Sequence, residues 1–246
     1  MRLGFADAAT YVADPEHAPI PLGQLLSDDY AVERAKLVSM ERANLRPIPG
    51  SFAESAGADT VYFSVVDGEG NGCSFINSNF QGFGTGIVPE GCGFSLQNRG
   101  RGFVLQEGHR NCLAPRKRPY HTIIPGLATN ADGSLYGVLG VMGGMMQPQG
   151  HLQVVVALAD DDVDPQAALD RPRFYLDQGE PGGELLLEDA VPEAVALQLS
   201  ARGHHVRSVS GSARSVFGLG TIIRPENGVW WAGCDPRGDG VALGLP

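Results

Sequence analysis

Apolar residues recur at helical spacing early in the chain and alternate at strand spacing from Thr60 onward. In "SDDYAVERAKLVSMERA", residues 27–43, Tyr30, Ala31, Leu37 and Val38 mark one apolar face, interrupted by Arg34. Ser27 is an N-cap candidate for that helix, and Asp28 and Asp29 occupy its first turn, where the helix dipole favours anions. "RPIPGSFAESAGA", residues 46–58, has two prolines and no period, and reads as a connection. From Thr60 the period becomes two. "TVYFSVVD" and "GCSFIN" flank "DGEGN", a turn sequence of the kind that closes a hairpin. Further strands are predicted at "LYGVLGVM", "GELLLE", "HHVRSVS", "SVFGLGTIIR" and "GVWWAG". Asp164 and Pro165 have the look of N-cap and first helical residue before "QAALD", and "PEAVALQLSARG" has a proline start and a glycine stop at Gly203. Residues 149–159 read either way: their valines favour strand, while their length allows a buried helix. Strands dominate, with helices between groups of them, so the expected class is α+β.

Composition narrows the functional classes. A chain of 246 residues can build one large core or two small ones. Its 34 glycines and 17 prolines fit many turns and short strands better than a helical bundle. A formal charge of −10 argues against nucleic acid or an anionic membrane as partner, since both need a basic face. The longest apolar run, "LQVVVALA", is too short to span a bilayer. "MRLGFADAAT" has no apolar signal core, so the expected location is cytoplasmic. The four cysteines (Cys73, Cys92, Cys112 and Cys234) make no CxxC pair and are expected to be buried free thiols. No metal site and no cofactor is expected. The histidines form no HExxH, and His204–His205 reads as the start of a strand.

Several segments carry possible chemistry. "FGTGIVPEG" lacks the third glycine of a dinucleotide fingerprint, and no P-loop follows it. No Gly-x-Ser-x-Gly nucleophile elbow is present. Gly143 and Gly144 follow a strand-like run. Such a bend is either a tight turn needing positive φ or a pair of N–H groups aimed at an oxyanion. Arg116, Lys117, Arg118 and His121 form a basic patch, either a solvated loop or a place for an anionic substrate. Asp160, Asp161, Asp162 and Asp164 lack the glycine and distal glutamate of an EF-hand and read as loop and helix cap. Thr60, as a β-branched residue at a strand start, is ordinary unless the chain is cut before it. A freed α-amine, with a pKa of about 7.7–8.0 in model compounds, would then serve as base for the same residue's hydroxyl.

"TVYFSVVDGEGN", "FGTGIV", "KRPYHTIIP", "GVMGG", "RPRF" and "GCDPRG" stand in the order and at the spacings of blocks in the γ-glutamyltransferases (γ-glutamyltranspeptidases), which the chain resembles over nearly its whole length. "LGFADAATYVADP" resembles the end of that family's large subunit. The resemblance implies a partial N-terminal nucleophile hydrolase fold, an αββα four-layer sandwich with most of the large-subunit portion missing. Residues 1–59 would be the large-subunit remnant and 60–246 the small-subunit-like catalytic region. It also implies a zymogen, of the kind found in glutathione metabolism, cut autocatalytically between Asp59 and Thr60. Thr60 would then be the nucleophile of a cofactor-free amide hydrolase or acyl transferase. Ser78 falls on a hydroxyl that bonds the nucleophile, Gly143 and Gly144 on the oxyanion-hole glycines, and His121 and Thr122 on a pair that contacts substrate carboxylate. The expected partners are a small-molecule amide, γ-glutamyl or other, and either the missing portion or a second copy.

The departures bear on the acyl group. In "QNRGRGF" the family's acceptor of the glutamyl amino group becomes Gly102, preceded by Asn98, with Arg99 in place of a glutamine and Arg101 nearby. Phe80 replaces an asparagine, with Asn79 adjacent. An ammonium would there meet cations. The expected acyl group therefore lacks a free α-amine or carries a second anion, as in a dicarboxylic acid amide. The resemblance places an arginine that holds the substrate carboxylate in the missing portion, and Arg99, Arg101 or Arg118 would stand in for it. Two other readings stay open: an uncleaved, silent homologue within a larger assembly, and an anion-binding module built on residues 116–121.

Overall fold

The computed structural model describes residues 1–47, 58–177 and 182–245. The connection expected over residues 46–58 lies largely outside them, as does the side chain of Asp59. Three helices come first: α1 (Arg2–Tyr11), α2 (Leu22–Leu25) and α3 (Asp28–Ala35). Ser27 Oγ accepts from the Tyr30 N–H and caps α3 as expected. The helix stops at Ala35 rather than running to residue 43. Ser39 Oγ accepts from the N–H groups of Glu41 and Arg42, a local bond that competes with helix.

The hairpin of β1 (Ala58–Val66) and β2 (Gly72–Gln81) closes through Asp67, whose carboxylate accepts from the N–H groups of Glu69 and Asn71. A four-stranded antiparallel sheet has the order β3 (Gly126–Thr129), β4 (Leu135–Met142), β8 (Leu219–Glu226), β9 (Val229–Cys234). A three-stranded sheet joins β5 (Phe174–Leu176), β6 (Glu184–Glu188) and β7 (His205–Val209), with β6 and β7 parallel around α6 (Glu193–Ala201). "SVFGLGTIIR" is not all strand, since Gly211–Phe217 is a 3-10 helix and β8 begins at Leu219.

The open reading at 149–159 resolves as α4 (Gln147–Ala159), followed by α5 (Pro165–Asp170) under its Asp164 cap. Val154, Ala157 and Leu158 of α4, with Ala168 and Leu169 of α5, pack on Leu139, Val141 and Ile222 of the large sheet. Two glutamines explain how a helix fits this apolar run. Gln149 donates to the Leu176 carbonyl and accepts from the Leu176 N–H, and Gln153 does the same with Phe174. Their amides thus act as a surrogate strand along β5.

The other face of the large sheet meets the hairpin. Tyr62 lies over Gly140, where a Cβ would come 2.5 Å from the ring, and Ser64 Oγ is 3.1 Å from Thr221 Oγ1. The layers run helix, sheet, sheet. Thr60, Tyr62 and Ser64 face inward, while Val61, Phe63, Val65 and Phe75 form an exposed apolar outer face on which the two phenylalanine rings stack. The expectation of buried thiols fails: Cys73 and Cys92 are exposed and Cys112 and Cys234 half-buried, all four free. Cys73 belongs to that outward face of β2, which alternation alone does not distinguish from a covered one.

Buried Asp14, after α1, anchors the segment leading to Thr122. Its carboxylate accepts from the Arg118 N–H at 2.9 Å and from Arg118 Nη2 at 2.9 Å. These bonds outweigh burial and hold the Asp14 carboxyl well below the usual carboxylate range. A lowered carboxyl pKa adds stability above its unfolded value, about 3.9, which is lost progressively as pH falls below it. The stability gap between the unmutated protein and Asp14→Asn, followed by thermal unfolding from pH 6 to pH 2, is therefore expected to narrow below about pH 4.

Candidate active site

Thr60 pairs with Ser78 across the hairpin, but Asp59 pairs with Phe80, so Asn79 is the extra residue of a β-bulge. The Asp59–Thr60 bond lies where regular pairing fails. Thr60 Oγ1 is 2.9 Å from Ser78 Oγ. The Ser78 oxygen also accepts from the Phe80 N–H at 2.9 Å and from Arg99 Nη2 at 3.0 Å. Two donors into one hydroxyl oxygen polarise its O–H, and Thr60 Oγ1 stands within reach of that proton. Phe80 has φ 77°, a left-handed conformation that costs a bulky residue on the order of 1–3 kcal/mol. Its ring lies under the Arg99 guanidinium, 4.7 Å from Cζ to centroid.

Arg99 opens a 3-10 turn, Arg99–Gly102, and is only 4% exposed. Its Nη1 donates to Thr122 Oγ1 at 2.8 Å, so one guanidinium bridges the hydroxyls of Ser78 and Thr122. Burial lowers its pKa from the ordinary arginine value, yet a guanidinium so far above neutrality stays charged. His121 is next to it, with a pKa lowered by desolvation first and by the charge of Arg99 second.

The remaining expected residues divide between the site and its wall. Gly143 and Gly144, at φ 137° and 58°, turn the chain from β4 into a 3-10 turn packed against β1. Asn79 Nδ2 donates to Ser95 Oγ, while Asn98 bonds both the N–H and the side-chain amide of Gln81. Arg101 is exposed and also donates to Gln81. These three hold the Arg99 turn onto the end of β2 rather than reaching Thr60. Of the basic patch, Arg118 is committed to Asp14 and Glu16, and Lys117 donates to the carbonyls of Arg110 and Cys112. Among the described residues no group of three His, Cys, Asp or Glu side chains is placed to hold a metal ion.

A buried ionic network stands behind the Gly143 turn; its Arg173 lies in the "RPRF" block and its Asp235 and Arg237 in "GCDPRG", while Glu188 belongs to no quoted family block. Arg173, 2% exposed, donates through Nη1 to the carbonyls of Phe217 and Gly218 and pairs with Asp235 at 2.7 Å. Arg237 pairs with Asp235 at 3.0 Å and with Glu188, which also takes Arg214. Gly218 is packed so closely that a Cβ on Gly143 would come 3.1 Å from its Cα. Burial is the largest influence on Arg173 and lowers its pKa; for Glu188 burial works upward, but the arginine bonds prevail and hold it low.

A sequence model of the gamma-glutamyltranspeptidase family matches residues 1–245. The chain belongs to that family. It is 34% identical to the glutathione hydrolase-like YwrD proenzyme of Bacillus subtilis, over all of this chain and 46% of that protein. It is also 34% identical to the oxamate amidohydrolase proenzyme of Klebsiella pneumoniae, over 99% of this chain and 45% of that protein. The crystal structure of cephalosporin acylase from Bacillus halodurans matches with a TM-score of 0.85 and 44% identity, over 96% of this chain and 42% of that one. The chain thus spans just under half the length of these relatives. Its helix–sheet–sheet layering is part of the N-terminal nucleophile hydrolase sandwich of the gamma-glutamyltranspeptidase family.

The ionic network gives this family member a testable weakness. Asp235→Ala leaves Arg173 and Arg237 short of a buried counter-charge and is expected to cost about 3–5 kcal/mol in urea unfolding. Asp235→Asn, which keeps hydrogen-bonding oxygen and shape, should cost less.

Proposed function

We propose that this chain carries the nucleophile of an autoprocessed amide hydrolase or acyl transferase, with Thr60 as nucleophile and base. The observation that carries the reading is the Thr60 hydroxyl held 2.9 Å from Ser78, one bond from the bulge at Asp59–Thr60. In processing, Thr60 Oγ1 attacks the Asp59 carbonyl carbon, the peptide C–N bond breaks, and the Thr60 nitrogen takes the proton. Water then hydrolyses the Asp59 ester and leaves Thr60 with a free α-amine. In turnover that amine accepts the Thr60 hydroxyl proton as Oγ1 attacks a substrate amide, then passes it to the leaving nitrogen. Water, or an acceptor amine, releases the acyl group from Thr60.

Ser78, backed by Arg99, would donate to the developing charge on Thr60 Oγ1, and the turn at Gly143–Gly144 would hold the oxyanion. Thr122 and His121 would line the acyl side. The names of two relatives, both proenzymes, support processing, and those of the Klebsiella and Bacillus halodurans relatives support an amide substrate that need not be γ-glutamyl. The apolar outer face of the hairpin (Val61, Phe63, Val65, Phe75) would be covered by a further portion of the enzyme, in keeping with a match to under half of each relative.

Intact-mass measurement and N-terminal sequencing test the proposal. The unmutated protein is expected to give a fragment beginning at Thr60, Thr60→Ser to retain cleavage, and Thr60→Ala to abolish both cleavage and amide turnover. A single uncut chain after long incubation would instead favour a silent homologue.

A further inference from the structure

We infer that Gln147 is a positioning residue: it ties the segment carrying Thr122 to the Gly143–Gly144 turn and so fixes the two sides of the site relative to each other. The inference deepens the proposed function and rests on Thr60 being the nucleophile. Gln147 opens α4, three residues after Gly144, and its side chain is fully buried. Its Oε1 accepts from the Ile124 N–H at 3.1 Å, across 23 positions of sequence. Ile124 lies two residues after Thr122. One side chain therefore joins the acyl side to the oxyanion turn, the two groups that the proposed reaction needs together around Thr60 Oγ1.

The segment has no ladder of its own to place it. Residues 117–125 lie in no helix or strand, and pairing begins only with β3 at Gly126. Backbone N–H groups of this stretch donate instead to side chains: Arg118 to Asp14, Tyr120 to Asn111 and Ile124 to Gln147. Asp14 and Asn111 hold the part before His121. Gln147 holds the part beyond Thr122, and it alone of the three belongs to the element that leaves the oxyanion turn.

Gln147 also differs from the two glutamines that follow it on α4. Gln149 and Gln153 use both ends of their amides along β5. Gln147 uses its oxygen, while its Nε2 is buried without a partner among the described residues. A half-satisfied buried amide carries a desolvation cost that an apolar side chain of the same length escapes. Packing alone therefore does not account for it, and the bond it does make crosses to the site. One helical turn on, His151 backs Gln147. Its Nδ1 lies 2.6 Å from the Gln147 carbonyl oxygen, which can only accept, so Nδ1 carries the proton. Burial, the largest influence, lowers the His151 pKa against the Gln147 and Ile124 carbonyls and keeps the ring neutral at neutral pH.

The test uses Gln147→Met, which keeps the length and loses the acceptor, and Gln147→Glu, which keeps an oxygen for the Ile124 N–H. Each is followed by amide hydrogen exchange at Ile124 and by turnover of γ-glutamyl- and glutaryl-p-nitroanilide by the processed protein. Gln147→Met is expected to raise exchange at Ile124 by about tenfold or more, with an unfolding midpoint within about 4 °C of the unmutated protein's. On the faster substrate kcat is expected to fall about tenfold or more, with a smaller rise in KM, because the groups still bind but no longer meet at the reacting distance. Gln147→Glu should recover part of both changes. Unchanged exchange at Ile124, exchange raised throughout the chain, or an unchanged kcat overturns the proposal. If Gln147→Met does not fold, Gln147→Asn, one methylene too short to reach Ile124, is judged by the same criteria. A chain still uncut at Thr60, read by mass, refutes the processing reading alone, because exchange at Ile124 still decides whether Gln147 joins the two sides.

Discussion

The arrangement around Thr60 depends on charges buried behind it. Arg173 precedes β5, Glu188 ends β6, and Asp235 and Arg237 follow β9, so their ion pairs join the three-stranded sheet to the four-stranded one. Asp235 also accepts from the Gly220 N–H on β8, and Arg173 holds the Phe217 and Gly218 carbonyls. Gly218 in turn abuts Gly143. The turn packed against β1 is thus set from the rear by this buried network. Buried ion pairs add little net stability over apolar packing of the same shape. What they impose here is a single relative placement of the two sheets, since any other strands a charge.

Two treatments of buried arginine coexist in this fold. Behind the site every charge has a partner of opposite sign. At the site Arg99 meets only hydroxyls and a ring. Removing a carboxylate behind the site strands a charge in the scaffold, whereas Arg99 is held by neutral groups alone. The strained φ of Phe80 belongs to the second treatment, because the bulge that strains it also brings Ser78 Oγ under both the Phe80 N–H and Arg99.

What could be read from the chain beforehand was local. "DGEGN" sits where the Asp67 turn closes the hairpin, Asp164 caps α5, and Gly203, at φ 93°, ends α6. Each is decided within a few residues. The readings left open or overturned depended mostly on distant packing. Residues 149–159 became helix because Gln149 and Gln153 had the β5 backbone to bond. The helix from Ser27 ended early through a serine turn, and the thiols lie outside the core because one hairpin face is exposed. Within the site, the Thr60–Ser78 pairing follows from hairpin register. The reach of Arg99 does not, since a 3-10 turn and the wall of Asn79, Asn98 and Gln81 set it. Gln149 and Gln153, four residues apart on one helix face, were the available clue to the choice at 149–159.

The parity of β1 ties these observations together. Alternation puts Thr60, Tyr62 and Ser64 on the face toward the large sheet, and Tyr62 locks that choice by filling the space left by Gly140. A slip of one residue would turn all three outward and bring Val61 and Phe63 against the sheet, losing the Tyr62–Ser74 and Ser64–Thr221 hydroxyl contacts. Cleavage before Thr60 would remove pairing only beyond the bulge, because the register from Thr60 to Val66 is carried by these inner contacts and not by Ala58 or Asp59. The strand can therefore lose its first two residues and still present the same hydroxyl to Ser78. That tolerance is what the proposed cut before Thr60 would require.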